Sequence, residues 1–182
     1  MSRPVIVLFT RIPRLGVGKR RLAATRGERA ALRLARAMLD RTMRVLRSMR
    51  TIERVIAVEP AHHARLPARG FTIVGQSRGD LGARMQALFR HYQRRPVLII
   101  GSDIPTLTAD DLRTACRRLR GADAVFGPAT DGGYWLIGLA GKRPDPIFPD
   151  VRWSTPHALA DTKRTFATRR TCTLREHADL DT

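Results

Sequence analysis

Two aspartates, Asp103 and Asp131, are the residues with the clearest chemistry in this sequence. Asp103 follows the apolar run at residues 97–100 and the short link Gly101-Ser102. Such a run before a turn is typical of a buried parallel strand, and open α/β sheets bind ligands at the carboxyl ends of these strands. Two carboxylates on loops at one edge of a sheet predict a divalent cation, Mg²⁺ or Mn²⁺, bound together with a phosphate-bearing substrate.

The residues after Asp131 add further features of a ligand site. Gly132 and Gly133 have no side chain, so a ligand is able to approach their backbone closely. Tyr134 and Trp135 follow in an alternating strand, where one ring points into the core and only the other is placed to stack on a sugar or a base.

A second candidate site is the loop at residues 11–22, between the first predicted strand and the first predicted helix. It combines two glycines with a cluster of cations, which suits a polyphosphate. The cations are Arg11, Arg14, Lys19, Arg20 and Arg21. The loop is not a Walker A motif, because Pro13 replaces its first glycine and Arg20 replaces its serine or threonine. A basic surface turn is the alternative interpretation.

The chain is strongly basic, with 34 basic and 16 acidic residues and a formal net charge of +18. Such a charge is compatible with nucleic acid or anionic substrates as partners. We favour an arginine-biased surface, since only Lys19, Lys142 and Lys163 are lysines and aromatic residues for base stacking are scarce. Five arginines lie opposite the apolar stripe of the first long helix: Arg33, Arg36, Arg41, Arg44 and Arg47. The sequence therefore predicts no specific nucleic-acid partner.

The two cysteines, Cys116 and Cys172, have no metal-ligand spacing. Cys116 shares a helical face with Leu112 and Leu119, so packing is its expected role. No apolar run reaches the length of a membrane span, and the amino terminus has no signal-peptide pattern. We therefore expect a cytoplasmic protein without a membrane span.

Apolar runs and amphipathic stretches alternate along the chain. Strands are predicted at residues 5–9, 54–58, 71–74, 97–100, 123–126 and 133–139. Helices are predicted at residues 28–49, 81–92 and 109–119. A further helix is predicted to begin at the Ser-Thr-Pro sequence of residues 154–156, with Pro156 in its first position. This alternation predicts an α/β fold in which helices cover a mainly parallel sheet.

Six segments resemble, in order and spacing, the motifs of a group of small GT-A-fold transferases associated with radical-SAM or selenoprotein-domain genes. The segments are residues 11–22, 79–85, 101–105, 127–138, 153–156 and 179–182. The resemblance implies a single-domain GT-A-like three-layer fold over residues 1–182, with a mainly parallel central sheet. It also places the chain in the nucleotide-diphospho-sugar transferase superfamily, which includes nucleotide-sugar glycosyltransferases and guanylyltransferases.

The resemblance implies a nucleotide side of the site. It assigns nucleotide and phosphate binding to Arg11, Gly16, Lys19, Arg21, Asp80, Leu81 and Gly82. The family usually has lysine in place of Arg11, and threonine in place of Arg20. Asp80 has an alternative role as the cap of the helix that begins near Leu81.

The resemblance also implies a metal side and an acceptor side. Asp103 matches the metal-binding acid of a DxD remnant whose first position is Gly101 here, and Asp179 or Asp181 matches a second acid, for which Asp181 is our candidate. The acceptor side comprises Gly132, Gly133, Tyr134 and Trp153. Asp131 is the best candidate to remove the acceptor's proton. Trp153 has an alternative role as a plug for the proline-rich loop before it.

Two other pairs of polar residues have structural interpretations. Asp110 and Asp111 are expected to cap a helix and to favour its dipole. His62 and His63 follow Glu59 and Pro60 but have no cysteine or acidic partner at a metal-ligand spacing, so an exposed pair is expected there and not a metal site.

The sequence thus predicts a metal-dependent transferase with a nucleotide-activated substrate and a small-molecule acceptor. Glycosyl transfer from a nucleotide sugar is the favoured reaction. The alternative reaction is nucleotidyl transfer, in which a nucleoside triphosphate releases pyrophosphate. A third possibility is a basic nucleic-acid-binding module that keeps the fold without its chemistry.

Overall fold

The structure, a computed structural model, describes residues 3–17, 20–60, 66 and 68–178, and for residues 20–22 it describes the backbone alone. Within this part of the chain, seven strands form one sheet. They are β1 Val5–Arg11, β2 Glu53–Glu59, β3 Thr72–Gly75, β4 Val97–Ile100, β5 Ala124–Pro128, β6 Tyr134–Leu139 and β7 Thr171–Thr173.

The strand order is β3-β2-β1-β4-β6-β5-β7. β1 is parallel to both of its neighbours, β2 and β4, whereas β6 is antiparallel to β4 and β5. The predicted mainly parallel sheet is therefore confirmed, and the reversal of β6 was not predicted. Because β6 runs the other way, the loop before it reaches the same edge of the sheet as the carboxyl end of β4.

Helices cover both faces of the sheet. They are α1 Arg20–Arg26, α2 Glu28–Arg47, α3 Leu81–His91, α4 Ala109–Leu119 and α5 Ala158–Arg164. Side chains of β1 alternate between two cores: Ile6 and Leu8 pack with α2 and α4, while Val5 and Val7 pack with α3. This arrangement is the predicted three-layer α/β fold.

Most predicted elements are present with limits that differ by two residues or fewer. A helix follows residues 154–156, as predicted, but the prediction that Pro156 is its first residue was wrong, since α5 begins at Ala158 after the N-cap His157. The Thr155 hydroxyl donates to the Arg152 carbonyl and accepts from the His157 amide, so it stabilises a turn before the helix. The short elements α1 and β7 were not predicted.

The arginines on the outer face of α2 are exposed, as predicted. Two of them nevertheless make specific contacts. Arg41 Nε donates to the Pro105 carbonyl at 2.6 Å, and the Arg47 guanidinium lies 5.3 Å from the centre of the Phe71 ring. Among the described residues, no helix is long and apolar enough to cross a membrane. The cytoplasmic location stays a prediction.

Candidate active site

Two clefts open at the edge of the sheet where β1, β2 and β4 end and β6 begins. We call the first the polar cleft; it has a volume of about 570 Å³ and is lined by polar residues that include Thr10, Arg11, Glu59, Gln76, Asp80, Arg84 and Ser102. We call the second the aromatic cleft; it has a volume of about 540 Å³ and its lining includes Ala129, Asp131, Gly133, Tyr134, Trp135, Trp153 and Pro156. The clefts share four lining residues, namely Leu81, Gly101, Asp103 and Ser154.

Asp103 is half-buried at the junction of the two clefts. The Ser102 hydroxyl donates to Asp103 Oδ1 at 3.4 Å and lies 3.2 Å from Thr10 Oγ1 at the end of β1. The amide of Gly101 donates to the Trp135 carbonyl of β6. The neighbouring strands β1 and β6 therefore hold the loop that carries the carboxylate.

The same loop is tied to the C-terminal segment by a cluster around Asp111. Thr108 and Asp111 form a reciprocal capping box at the start of α4. Arg175 donates to both carboxylate oxygens of Asp111, at 2.6 and 2.7 Å. His177 Nδ1 lies 2.6 Å from the Thr106 hydroxyl, and the backbone of His177 pairs with the 128–130 loop. This cluster, Thr106, Thr108, Asp111, Arg175 and His177, connects the loops of both candidate aspartates.

The electrostatics of this cluster follow from its burial. Burial by itself would raise the pKa of Asp111, but hydrogen bonds from Arg175 and Thr108 lower it to about 2. Burial lowers the pKa of His177 below its ordinary value, and Asp111 opposes that shift only in part. The cluster therefore contains a charged carboxylate and favours a neutral imidazole.

The polar cleft contains an ion-pair network. Glu59 Oε2 accepts from Arg84 at 2.6 Å and from Arg11 at 3.1 Å, and these contacts, chiefly the hydrogen bond from Arg84, hold the pKa of Glu59 below its ordinary value. Arg84 Nε donates to the Gly79 carbonyl, and Gln76 Nε2 donates to carbonyls of β1 and β2. The cleft therefore presents preoriented guanidinium groups, which suit an anionic or keto-bearing ligand.

Apolar side chains are exposed at the mouth of this cleft. Val17 and Leu81 are 44% and 41% exposed, and both line the polar cleft. Asp80 caps α3, since its Oδ1 accepts from the Ala83 amide at 2.8 Å. The capping interpretation of Asp80 is thus confirmed, while its nucleotide contact stays a prediction.

The aromatic cleft is organised by Trp153. A Cβ at Gly82 would lie 2.8 Å from Trp153 Cζ2, so the indole packs directly on the α3 backbone. Trp153 also meets the rings of Tyr134 and Phe148 edge-on. Trp135 is the inward ring: it is buried and its indole donates to the Arg175 carbonyl. The Tyr134 hydroxyl is buried as well, and burial raises its pKa.

Asp131 is exposed, and its Oδ1 accepts from the Gly133 amide at 2.8 Å, which orients the carboxylate. Gly132 has a φ of +84°, and a Cβ there would lie 2.3 Å from the Pro156 carbonyl oxygen. The Gly132 carbonyl accepts from the Leu159 amide. The structure thus gives Gly132 a packing role between the two loops of the aromatic cleft.

Ser154 lies at the junction of the clefts in a left-handed conformation, with a φ of 59°. Its loop is fixed by Asp161, a fully buried carboxylate that accepts from the Arg152 side chain and backbone and from Arg164. These contacts, the Arg152 hydrogen bond first, hold the pKa of Asp161 well below its ordinary value. A non-glycine residue in this conformation costs free energy and is often found at functional sites.

The structure brings most predicted site residues together. Those that line one or both clefts are Arg11, Asp80, Leu81, Asp103, Asp131, Gly133, Tyr134 and Trp153. Gly16 lines a smaller neighbouring cleft with Arg14 and Val17. Lys19, His62, His63, Asp179 and Asp181 lie outside the described residues, as does the side chain of Arg21.

Sequence reasoning missed five residues of this region: Glu59, Arg84, Ser154, Arg175 and His177. Their partners are distant in sequence; Arg175 and Asp111, for example, are 64 residues apart. For Glu59 and Ser154, the signal in the sequence was their position. Glu59 directly follows a predicted strand, and Ser154 lies in one of the six segments that resemble the family's motifs. Among the described residues, no group of three histidine, cysteine or acidic side chains is arranged to hold a metal ion.

The chain matches a family model over residues 42–155, which is more than half of its length. The family is described as "Uncharacterized protein conserved in bacteria (DUF2064)". Among curated proteins, none matches the sequence.

Solved structures confirm the fold. A crystal structure of a candidate nucleotide-diphospho-sugar transferase from Desulfovibrio desulfuricans G20 is similar, with a TM-score of 0.88 and 29% identity, and the match covers 100% of this chain and 84% of that one. CMP:2-keto-3-deoxy-manno-octonic acid synthetase complexed with CTP has a TM-score of 0.62 and 12% identity, over 100% and 94% of the two chains. A mannosyltransferase from Pyrobaculum calidifontis in complex with GDP-Man and Mn²⁺ has a TM-score of 0.56 and 13% identity, over 97% and 56%. The superfamily resemblance seen in the sequence is thus confirmed.

Proposed function

The chain belongs to the DUF2064 family, and we propose that it is a transferase that acts on a nucleotide-activated substrate, with glycosyl transfer from a nucleotide sugar as its reaction. The observation that carries this proposal is the position of Asp103. It lies where the polar cleft and the aromatic cleft meet, at the carboxyl end of a central strand. A group transferred between ligands in the two clefts would pass this carboxylate.

The polar cleft suits the nucleotide. Its guanidinium groups, Arg11 and Arg84, are able to contact phosphate oxygens or base carbonyls, and the exposed Val17 and Leu81 offer apolar surface to a base. Lys19 and Arg21, which follow Val17 closely in the sequence, would add positive charge at the diphosphate. The fold is shared with structures that contain CTP or GDP-Man, which supports this placement.

The residues at the junction fit a divalent cation. Asp103 is a half-buried carboxylate with the Ser102 hydroxyl beside it, and both supply the oxygen ligands that Mg²⁺ and Mn²⁺ prefer. Mg²⁺ often takes only one or two protein carboxylates together with substrate phosphates, so a single described acid is sufficient. Asp181 is our candidate for a second ligand. When bound, the cation would neutralise charge on a departing diphosphate.

The aromatic cleft suits the acceptor. Trp153 and Tyr134 provide ring edges and faces of the kind that pack against sugars, and Asp131 lies on the loop beside them. In the proposed reaction an acceptor hydroxyl oxygen attacks the anomeric carbon of the sugar. The bond from that carbon to the diphosphate oxygen breaks, Asp131 accepts the hydroxyl proton, and the nucleoside diphosphate leaves.

Nucleotidyl transfer is the second candidate. The segment at residues 11–21 carries five cations, more than a diphosphate requires, and this favours a triphosphate. A phosphorylated acceptor would then attack the α-phosphate, and pyrophosphate would leave.

A substrate panel separates these reactions. The purified protein is first tested for binding to nucleoside diphosphates, nucleoside triphosphates and nucleotide sugars, with and without Mn²⁺. The best ligands are then incubated with the protein, and the products are separated by chromatography. Slow release of free sugar and nucleoside diphosphate supports glycosyl transfer, because water replaces the missing acceptor in an open site.

Release of pyrophosphate from a triphosphate, in the presence of phosphorylated acceptors, would instead support nucleotidyl transfer. Neither binding nor turnover across the panel would overturn both and favour the nucleic-acid-binding module. The variant Lys19→Ala tests the proposed phosphate-binding segment at residues 11–22. It should weaken the binding of diphosphate ligands much more than the binding of the free nucleoside.

A further inference from the structure

A further cleft lies at the opposite edge of the sheet from Asp103. It has a volume of about 650 Å³ and is formed where β1, β2 and β4 begin and β6 ends. We call it the arginine cleft. Its apolar lining consists of Pro4, Met49, Ile52, Pro96, Leu119 and Ala140, together with Cys116.

Five arginines surround this apolar floor, namely Arg3, Arg94, Arg113, Arg117 and Arg120. All five are exposed, and none of the described residues that line the cleft is acidic. The cleft therefore combines an apolar interior with a rim of a single charge sign.

Helix α4 and its C-cap residue, Arg120, bring three of these arginines close together. Arg113, Cys116, Arg117 and Arg120 have the spacing of one helical face, on which side chains three or four residues apart are neighbours. Arg117 and Arg120 also favour the negative end of the α4 dipole. The favourable interaction with the helix dipole explains why cations lie at that end of α4. It does not explain why an apolar cleft lies between them.

The opposite rim is built from an unusual backbone. Arg94 has a φ of 60°, a left-handed conformation that is uncommon for a residue with a side chain. The backbone of Gly141 packs against it so closely that a Cβ at Gly141 would lie 2.6 Å from the Arg94 carbonyl oxygen. Arg94 is thus held at the rim by its surroundings. Within the described structure, the side chains of Arg94, Arg113 and Arg120 make no hydrogen bond or ion pair.

We propose that the arginine cleft is a binding site for an amphipathic anion, a molecule with an apolar chain and a terminal carboxylate or phosphate. The chain would lie on Met49, Ile52 and Leu119, and the head group would bind Arg113 and Arg120. The volume is within the range of small-molecule pockets. This site is separate from the active-site clefts, because it lies at the other end of the strands.

The two features of the ligand are tested with four probes: dodecanoate, dodecyl phosphate, dodecanol and inorganic phosphate. Binding is measured by calorimetry below the critical micelle concentration of each probe. We expect dodecanoate or dodecyl phosphate to bind, and whichever binds more tightly identifies the head group. Dodecanol has no charge and inorganic phosphate has no apolar chain, so both should bind at least about tenfold more weakly.

Matched variants at the C-terminal end of α4 locate the site. Arg120→Glu changes a rim residue, whereas Arg118→Glu makes the same charge change at an exposed position of α4 outside the cleft. Arg120→Glu should weaken the anionic probe at least about tenfold, and Arg118→Glu should leave it within about twofold. The thermal unfolding of both variants is measured to confirm that they fold.

A second variant removes space without changing charge. Cys116→Phe fills the cleft and should also abolish probe binding, provided that its thermal unfolding stays cooperative. The proposal is overturned if dodecanol binds as tightly as the anions, if Arg118→Glu weakens binding as much as Arg120→Glu, or if no anionic probe binds.

Discussion

The polar cleft and the aromatic cleft share Asp103 but are built in different ways. The polar cleft is formed mainly by strand ends, and its side chains are fixed by ion pairs between residues of neighbouring elements, such as Glu59 with Arg84. The aromatic cleft is formed mainly by two loops, which contact each other where Gly132 meets Pro156. The cleft proposed for the nucleotide is therefore supported by the sheet, and the cleft proposed for the acceptor is supported by packing between two loops.

Because the two clefts are held together by different contacts, we expect them to respond separately to mutation. Changes in the polar cleft should act on nucleotide affinity, and changes in the aromatic cleft should act on the acceptor. Of the changes considered, only one at Asp103, which lines both clefts, should affect both the nucleotide and the acceptor.

The largest effect is expected for Asp103→Asn, which keeps the shape of the side chain but removes the charge that a hard cation requires. Turnover should fall by about 100-fold or more, and Mn²⁺-dependent nucleotide binding should be lost. The control is Asp110→Asn, which removes an exposed carboxylate nearby on α4. Equal nucleotide affinity of Asp103→Asn and the parent protein, with Mn²⁺ present, would show that Asp103 is not a cation ligand.

Smaller effects are expected for Arg84→Gln and Trp153→Leu, each on the ligand of its own cleft and not on the ligand of the other cleft. Arg84→Gln should weaken nucleotide binding about tenfold, because a charge-assisted contact is lost, and should leave the acceptor KM unchanged. Trp153→Leu should raise the acceptor KM and leave the nucleotide Kd unchanged, measured with an acceptor identified in the panel.

Arg90→Gln is the control for the first variant, since Arg90 lies on the same helix and pairs with the exposed Asp145. If each of the two cleft variants changes both the nucleotide Kd and the acceptor KM, the two clefts do not act separately.

A pH effect on stability is expected from His177. Its pKa is lowered in the folded protein, so the unfolded chain binds a proton more readily. Stability should therefore be complete above the ordinary histidine pKa and should fall as the pH is lowered from 7 to 5. His177→Gln should reduce this slope and cost about 1–2 kcal/mol at pH 7, because the contact with Thr106 is lost.

Thermal unfolding at several pH values measures the slope. His157→Gln, at an exposed position, is the control and should leave the slope unchanged. If the slope is the same in His177→Gln and in the parent protein, this histidine does not cause the loss of stability at low pH.

The smallest effect concerns nucleic acid. Some weak, sequence-independent DNA binding is expected at low salt from a chain with a net charge of +18. The variant Arg33→Gln/Arg36→Gln/Arg44→Gln should reduce DNA retention a few-fold and leave nucleotide binding unchanged. Arg41 and Arg47 are left intact, because they contact the Pro105 carbonyl and the Phe71 ring. A tight complex that survives physiological salt and requires the three arginines would favour a nucleic-acid function.

The parts of the fold that were predicted from the sequence are those determined by residues close together in the chain. The limits of β4 and α4 were predicted to the residue. β4 is a continuous apolar run, and α4 begins with a capping signal. The position of Asp103 followed from the same reasoning. The direction of β6 depends on pairing with strands elsewhere in the chain, which hydrophobic periodicity does not record.

The parts of the site that were missed have distant partners. Asp111 was interpreted correctly as a helix cap, but its contact with Arg175 requires a C-terminal segment that returns to the loop of residues 103–108. Arginine is so frequent in this chain that no individual arginine, Arg84 included, stands out by residue type.

The contact of Gly132 with Pro156 also determines how this protein is best re-engineered. Residues 129–133 and residues 153–159 form one exchangeable module, because the Gly132 carbonyl bonds the Leu159 amide and no side chain fits between the loops. We expect a chimera that imports both segments from one relative to preserve this contact. A chimera that imports only one segment sets a foreign loop against Gly132 or Pro156, so libraries aimed at new acceptor ranges should vary the two segments together.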